Sequence, residues 1–173
     1  MTAAEALPAE LPALSVWQPG ASLIVAGLKR YDLHTWAAPP EFHYRRIAIH
    51  AASRPVGRPE IRKLLYYMPR DGGKGILHAE MTAEQLDDAI ELVRQARWLP
   101  RGAFIGIVTL GKPVRTSEVP GTPYGGLSKA DAGHWAWPMF PAQWMPQIKA
   151  KGTGGFFTMQ VPDAWRREPA DVI

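Results

Sequence analysis

Three side chains with distinct chemistry lie within six residues of one another: Lys29, Asp32 and His34. An ammonium holds phosphate or polarises a carbonyl, a carboxylate accepts hydrogen bonds, and an imidazole exchanges protons near neutral pH. If residues 31–36 form a strand, alternation places Asp32, His34 and Trp36 on the same side. The spacing therefore predicts a cation, a carboxylate, an imidazole and an indole at one surface.

The elements that must position this cluster are predicted from the pattern before it. Residues 14–17 are typical of a short strand, residues 18–20 of a turn and residues 20–29 of a helix. Pro19 suits the start of a helix because its missing N–H would have no partner there. The end of the strand and the turn are then expected beside the polar cluster. Apolar residues at helical spacing predict one buried helix face: Ala21, Ile24, Val25 and Leu28.

The segment LSVWQPGASLIVAGLKRYDLHTW, residues 14–36, resembles the opening of an ASCH domain, a family related to the PUA fold. That family begins with a Leu-Ser-x-x-Gln-Pro stretch and carries a Gly-x-Lys-x-x-Glu-x-Arg signature at the mouth of its cleft. Here Gly27 and Lys29 match the signature, Asp32 stands in place of Glu and His34 in place of Arg. Later segments follow in the family's order, so the resemblance covers residues 13–163: IAIHAAS (47–53), GAFIGIVTLG (102–111) and GHWAWPMF to GGFFTMQVP (133–162).

The resemblance implies an α+β fold, a closed or nearly closed PUA-like β-barrel of five to six strands with flanking helices. Residues 103–110 are apolar on both sides, as expected of a strand buried in such a barrel. Thr82 and Gln85 have the spacing of a capping box at the start of a helix. Three helices are predicted around the barrel: residues 20–29, 59–67 and 82–97.

The composition of the chain indicates one globular domain. It has 173 residues, of which 46% are hydrophobic and 21% are charged. We expect a flexible leader at residues 1–13, an ASCH-like domain at 14–163 and a surface tail at 164–173. The absence of Cys excludes disulfides and thiolate chemistry. Because no apolar run is long enough to span a membrane, and the acidic leader is unlike a secretory signal, we expect a cytoplasmic protein. Its oligomeric state is not predicted.

Basic charge is concentrated around the polar cluster. Residues 20–70 contain nine Lys and Arg side chains against three acids, whereas the whole chain carries a net charge of +4. A local excess of positive charge favours an anionic partner and speeds its encounter. Together with the resemblance, it predicts that RNA or a nucleotide is the partner.

The expected binding residues lie in the cluster, after the next strand and in a long loop. That strand ends near His50, and Ser53 and Arg54 follow at its mouth. Residues 113–129 form a Gly- and Pro-rich loop of the length that often binds ligands, with Tyr124 near its tip. Aromatic rings beside cations stack on the bases of single-stranded RNA. The predicted nucleic-acid-binding residues are Trp17, Gln18, Lys29, Asp32, His34, Trp36, His50, Ser53, Arg54 and Tyr124.

The remaining tryptophans admit two interpretations. Trp135 and Trp137 would share one face of a strand, where they either pack in the core or line the cleft. A separate hypothesis is a protein-binding adaptor that uses the aromatic patch between Trp135 and Trp144. Such an adaptor would associate with its partner in a salt-insensitive manner and would have no affinity for RNA.

The alternative function is catalytic, that of a small metal-independent hydrolase acting on RNA or a modified nucleoside. Some ASCH-like proteins are amidohydrolases that act on acylated cytidine with a Lys, a Thr three residues later and a distant Glu. Lys29 matches the Lys, but Asp32 stands at the Thr position and no residue matches the Glu. Because a carboxylate stabilises a neighbouring ammonium, this pair suits phosphate binding or carbonyl polarisation better than proton abstraction. If the chain is an enzyme, the predicted catalytic residues are Lys29, Asp32 and His34.

The two central histidines add a further catalytic possibility. His34 and His50 could divide base and acid roles around a 2′-OH, and ASCH proteins with ribonuclease activity are reported. Zinc held by these two imidazoles and Asp32 has little support from the ligand spacing. The sequence therefore predicts no metal and no cofactor.

Overall fold

The structure, a computed structural model, describes residues 6–71, 77, 80–119 and 134–166. That part of the chain contains seven strands and four α-helices, and the predicted α+β class is confirmed. Two short 3-10 turns, Pro40–Phe42 and Thr116–Glu118, lie between them. In chain order the elements are β1 (Glu10–Val16), α1 (Gly20–Val25), β2 (Tyr31–His34), β3 (Arg45–Ala51), α2 (Arg58–Asp71), α3 (Ala83–Arg94), β4 (Ala103–Leu110), β5 (Val114–Arg115), β6 (Trp135–Lys149), β7 (Phe156–Gln160) and α4 (Asp163–Arg166).

The strands form one mixed sheet in the order β2-β6-β4-β3-β1-β7, and β5 also pairs with β6. β1 and β3 are parallel, and the other pairs are antiparallel. The described strands form the predicted barrel-like sheet, with seven strands rather than five to six. The sheet is not closed, because β2 and β7 are at its two ends and do not pair. β6 changes partners along its length: its first residues pair with β2 and β5, and the rest pair with β4. Two register shifts in the β4–β6 ladder bend the sheet there.

The central strand β4 begins and ends where the sequence predicts. Both of its faces are buried, because one apolar cluster lies on each side of the sheet. Ile105 belongs to the first cluster and Ile107 to the second. A Cβ at Gly106 would overlap the Val25 side chain, so the missing side chain lets α1 lie directly on β4. This close packing fixes the position of α1, which precedes the polar cluster.

The helix α1 ends at Val25, four residues before the predicted end. The N–H groups of Leu28 and Lys29 both donate to the Leu23 carbonyl, which is not the hydrogen-bond pattern of a continuing α-helix. Gly27 has φ of 72°, a left-handed conformation that glycine adopts without steric cost. The chain therefore leaves the helix in a tight turn, and Lys29 lies in that turn rather than on the helix.

The first strand begins at Glu10, so the last four residues of the predicted flexible leader are part of the sheet. Leu11 and Ala13 are buried in the second apolar cluster. The start of this strand was not predicted because Pro12 has no N–H to donate to a neighbouring strand, and proline therefore argues against a strand. It is tolerated here because β3 pairs with β1 only from Ala13 onward.

The predicted surface tail also has an ordered part. Residues Asp163–Arg166 form α4, and the Trp165 side chain is 1% exposed. Its Nε1–H donates to the Pro146 carbonyl at 2.7 Å. The beginning of the tail is thus anchored to β6 by one buried indole.

The helices α2 and α3 form a layer with its own apolar cluster. Leu23 and Leu28 reach into this cluster from the α1 region. The capping box at the start of α3 is confirmed: Gln85 N–H donates to the Thr82 hydroxyl, and Thr82 N–H donates to the Gln85 side-chain oxygen. Among the described residues, none of the helices has the length and apolar character needed to cross a membrane.

Candidate nucleotide-binding cavity

The structure brings Lys29, Asp32 and His34 together around one carboxylate. Lys29 Nζ donates to Asp32 Oδ1 at 2.5 Å, and His34 Nε2 lies 2.9 Å from Asp32 Oδ2. Because an ionised carboxylate only accepts hydrogen bonds, His34 Nε2 carries the proton in this contact. The three side chains are between 12% and 19% exposed, so each retains a small accessible surface.

Two elements position these side chains. β2 pairs with β6 so that Asp32 lies opposite Trp137 and His34 lies opposite Trp135. Since residues two apart on a strand face the same side, the carboxylate and the imidazole share a face. Lys29 reaches the same carboxylate from the turn at Gly27 that follows α1.

The charges at this cluster favour an ionised Asp32. Burial acts to raise the pKa of its carboxyl, but the Lys29 ammonium and the hydrogen bond and charge of His34 outweigh burial. Together they hold the pKa of Asp32 far below its usual value. Asp32 is therefore a fixed negative charge that orients its two partners at neutral pH.

The cluster opens into a cavity of about 510 Å³ that we call the main cavity. The indole of Trp17 stands at its rim and is 61% exposed. The Arg54 guanidinium lies 4.3 Å from the centre of the Trp17 ring system and pairs with Glu60 at 3.1 Å. The cavity is lined by Ser15, Val16, Trp17, Gln18, Pro19, Gly20, Leu23, Lys29, Asp32, Leu33, His34, Glu60 and Leu64.

A column of aromatic rings supports His34 from the core. The imidazole stacks on Trp137 with ring centroids 3.7 Å apart, and Trp137 stacks in turn on Phe156 at 5.7 Å. Phe42 continues the column against Phe156 at 4.0 Å. Of the two interpretations of Trp137, the structure supports core packing, because this residue is fully buried behind His34.

The other predicted tryptophan of the cluster, Trp36, lies beside this column rather than in the lining of the main cavity. Its ring makes edge contacts with His34 and Trp137, and its carbonyl accepts from Trp137 Nε1 at 3.0 Å. Trp135 is half-buried, and the Arg115 guanidinium covers its ring at 4.0 Å.

Gln18 lines the main cavity, but its amide is already occupied. Its Nε2 donates to the Ser22 hydroxyl at 2.8 Å and to the Pro100 carbonyl at 2.7 Å. Its oxygen accepts from the Ser22 N–H. Gln18 therefore ties the β1–α1 turn to the chain before β4, and both of its side-chain N–H groups are used within the fold.

His50 is not brought to the main cavity, contrary to the prediction. It is 1% exposed and contacts Phe104 and Phe157 at the second apolar cluster. Its Nε2 donates to the Ala150 carbonyl at 2.9 Å, and its Nδ1 lies 3.0 Å from the Ser15 hydroxyl. Strand alternation correctly placed His50 on the same face as Ala48, but it could not show that this face points to the core rather than to the cleft. A catalytic pair with His34, and a zinc site that needs both imidazoles, are therefore wrong.

The remaining predicted residues are dispersed. Ser53 lines a separate groove, Arg54 reaches the rim through Trp17, and Tyr124 lies outside the described residues. Among the lining residues that were not predicted from the sequence, Glu60 and Leu64 are the two that lie outside residues 14–36. They come from α2, and the only sequence signal for them is that a helix starts just after Arg54. Over the described ranges, no group of three or more side chains has the arrangement of a metal site.

Comparisons with known proteins find similarity among solved structures but not among family models or curated sequences. No protein-family model matches the chain, and no curated protein sequence matches it. The crystal structure of a mutant of the ZmASCH protein from Zymomonas mobilis is similar, with 16% sequence identity and a TM-score of 0.39. The match covers 80% of this chain and 74% of that chain. That protein carries ASCH in its name. The α+β class itself rests on the strands and helices described above.

Proposed function

We propose that this chain binds single-stranded RNA or a nucleotide in the main cavity. One observation carries the proposal: Lys29, Asp32 and His34 meet in a cavity whose rim bears the exposed indole of Trp17. Single-stranded nucleic acids are held by cations that contact phosphates and by aromatic rings that stack on bases. Both components are within the same lining, and a volume of about 510 Å³ suits a ligand the size of a nucleotide.

Each polar group has a role in this proposal. In the described part of the chain, Asp32 is the only hydrogen-bond partner of Lys29, so two of the three ammonium hydrogens are available to a phosphate oxygen. Asp32 fixes the ammonium and the imidazole in place. His34 Nδ1 has no hydrogen-bond partner among the described residues and can contact a ligand directly.

The rim supplies the stacking surface. Arg54 covers one side of the Trp17 ring, while more than half of the indole remains exposed. A base can stack on the open side of this indole while the guanidinium holds a neighbouring phosphate. The Glu60 carboxylate pairs with that guanidinium at 3.1 Å and offsets part of the positive charge at the rim.

The test is a titration of the purified protein with a single-stranded oligoribonucleotide at low salt. Lys29→Ala and Trp17→Ala are each expected to weaken binding by about tenfold, since a charge contact or a stacked base contributes roughly 1–3 kcal/mol. Lys112→Ala removes an exposed lysine outside the cavity lining and serves as the matched control. Affinity that is undetectable at low salt, or equal in all these variants, would refute the proposal.

A second candidate function, hydrolysis, is favoured by the geometry of the Asp32–His34 pair. A carboxylate that holds one imidazole nitrogen leaves the other as a proton acceptor, as in catalytic Ser-His-Asp sites. His34 Nδ1 could then deprotonate a 2′-OH or a water molecule, with Lys29 stabilising the developing negative charge. Turnover of RNA or an acylated nucleoside that is lost in His34→Ala but retained in His43→Ala would support the hydrolase function. Binding without turnover would support the recognition function alone.

A further inference from the structure

A second groove, of about 560 Å³, lies next to the main cavity. Its most prominent side chain is Trp98, which is 86% exposed and is the most exposed large hydrophobic side chain among the described residues. Tryptophan is enriched where proteins bind partners. The groove is lined by Ser53, Arg97, Trp98, Leu99, Pro100, Arg101, Gln147 and Lys149.

The charge of this groove is of one sign. Arg97, Arg101 and Lys149 contribute three cations, and its lining contains no carboxylate. None of the three forms an ion pair within the part of the chain that the structure describes. Lys149 Nζ donates to the Arg101 carbonyl at 3.2 Å, which joins the end of β6 to the segment before β4. The groove therefore offers uncompensated positive charge around an exposed aromatic ring.

The groove and the main cavity are joined by one hydrogen bond. Gln18 lines the main cavity, and its Nε2 donates to the carbonyl of Pro100, which lines the groove. Trp17 precedes Gln18 and Trp98 lies two residues before Pro100. With Cα atoms 3.8 Å apart along the chain, this bridge limits the separation of the two tryptophan Cα atoms to roughly 20 Å.

We infer that the groove is a second binding site on a continuous track for single-stranded RNA, with Trp98 stacking on one base and the three cations holding phosphates. This inference rests on the proposed function of the main cavity and names its ligand more closely. Two stacking indoles separated by cations fit an oligonucleotide of about four nucleotides or more rather than a mononucleotide. Charge complementarity selects this occupant, because an apolar protein surface would leave Arg97, Arg101 and Lys149 unpaired.

The experiment measures calorimetric affinity for uridine monophosphate and for an oligouridylate of about eight nucleotides. Trp98→Ala is expected to weaken oligomer binding by about 5- to 140-fold, which is the range for one stacked base, and to leave monophosphate binding unchanged. Arg97→Ala is expected to weaken oligomer binding and to reduce its dependence on salt. Trp144→Ala, which removes an exposed indole outside both linings, should change neither affinity.

The outcomes separate the two proposals. Oligomer binding that requires Lys29 but is unchanged in both Trp98→Ala and Arg97→Ala would overturn the track and leave the main cavity intact. Oligomer binding that is absent, or indifferent to Lys29→Ala, would refute the function of the main cavity as well. A tighter interaction with a deoxythymidine oligomer of equal length would overturn RNA as the occupant. Unchanged thermal midpoints in Trp98→Ala and Arg97→Ala, expected because both side chains are exposed, exclude misfolding as the cause of lost affinity in these two variants.

Discussion

The imidazole of His34 stacks on the fully buried indole of Trp137, with the ring centroids 3.7 Å apart and the ring planes at 21°. The same imidazole donates to Asp32 from its edge. One contact fixes the plane of the ring and the other fixes its rotation in that plane. A residue in the lining of the main cavity is therefore oriented by the hydrophobic core, and this coupling has measurable consequences.

The first prediction concerns Trp137. Trp137→Ala should lower the free energy of unfolding by about 3–5 kcal/mol, because it removes a large buried side chain and leaves a cavity. Trp137→Phe should lower the free energy of unfolding less, because it keeps an aromatic ring behind His34. It still loses the hydrogen bond to the Trp36 carbonyl. Urea denaturation measures both. The matched control is Trp98→Ala, an identical change at an exposed position, which should stay within about 0.5 kcal/mol of the wild type.

The second prediction concerns the pH dependence of stability. The pKa of Asp32 is lower in the folded protein than in the unfolded chain, so its ionised form favours folding. This contribution is fully present above the unfolded value of about 3.9, declines as the pH falls below it and is lost below the folded value. Asp32→Asn lacks it and should destabilise the protein by about 3–5 kcal/mol at neutral pH, because the Lys29 ammonium loses its ionic partner.

The measurement for Asp32 is the free energy of unfolding of the wild type and of Asp32→Asn between pH 7 and acidic pH. The difference between the two should shrink as the pH falls below about 4. Asp88→Asn, which removes an exposed carboxyl on α3, is the control for the loss of one acidic group. A difference that stays constant down to the most acidic pH would contradict the role given to Asp32.

The third prediction concerns the number of phosphates that the main cavity holds. If Lys29 contacts one phosphate, Lys29→Ala should make the slope of log affinity against log salt shallower by about 0.7. Lys29→Arg should retain most of the slope because it keeps the positive charge. Its contact with Asp32 should be altered, because the guanidinium is planar and larger than an ammonium. Titrations at several salt concentrations measure the slope. An unchanged slope in Lys29→Ala would mean that this lysine stabilises the fold without touching the ligand.

The fourth prediction concerns the contact between the Ser15 hydroxyl and the buried His50 ring. A Cβ at Gly152 would overlap the Ser15 hydroxyl and the His50 ring, so Gly152→Ala should be destabilising by about 1–3 kcal/mol. Gly154→Ala is the matched control two residues later, where nothing lies within 4 Å of an added Cβ. Thermal or urea denaturation compares the two variants. Equal stabilities would show that the loop moves to accommodate the methyl group.

Local signals in the sequence predicted the elements that depend on local physics. The capping residues Thr82 and Gln85 located the start of α3, and the doubly apolar run of β4 gave both of its ends. The alternation of Asp32 and His34 also follows from strand geometry alone. These features require no knowledge of which elements pack together.

Features that depend on tertiary packing were missed or misplaced. Strand alternation shows which residues share a face with His50. Only the pairing of β3 with β1 shows that this face meets Ser15 and the core. Trp165 looked like part of a tail because its partner, the Pro146 carbonyl, lies on a strand interrupted by prolines. Trp98 followed a helix with an evident packing role, and the basic residues on either side of it were the signal for its groove.

The hydrogen bonds of Gln18 have a consequence for how sequence variation should be interpreted. The Gln18 side-chain amide joins the lining of the main cavity to the segment before β4 that contains Trp98, and both of its N–H groups are already used, so neither can donate to a ligand. Selection at position 18 would therefore preserve the alignment of two neighbouring surfaces rather than a preference for any particular base. Proteins that keep this glutamine while varying the side chains around it would share the same backbone arrangement and differ in the ligand that they recognise.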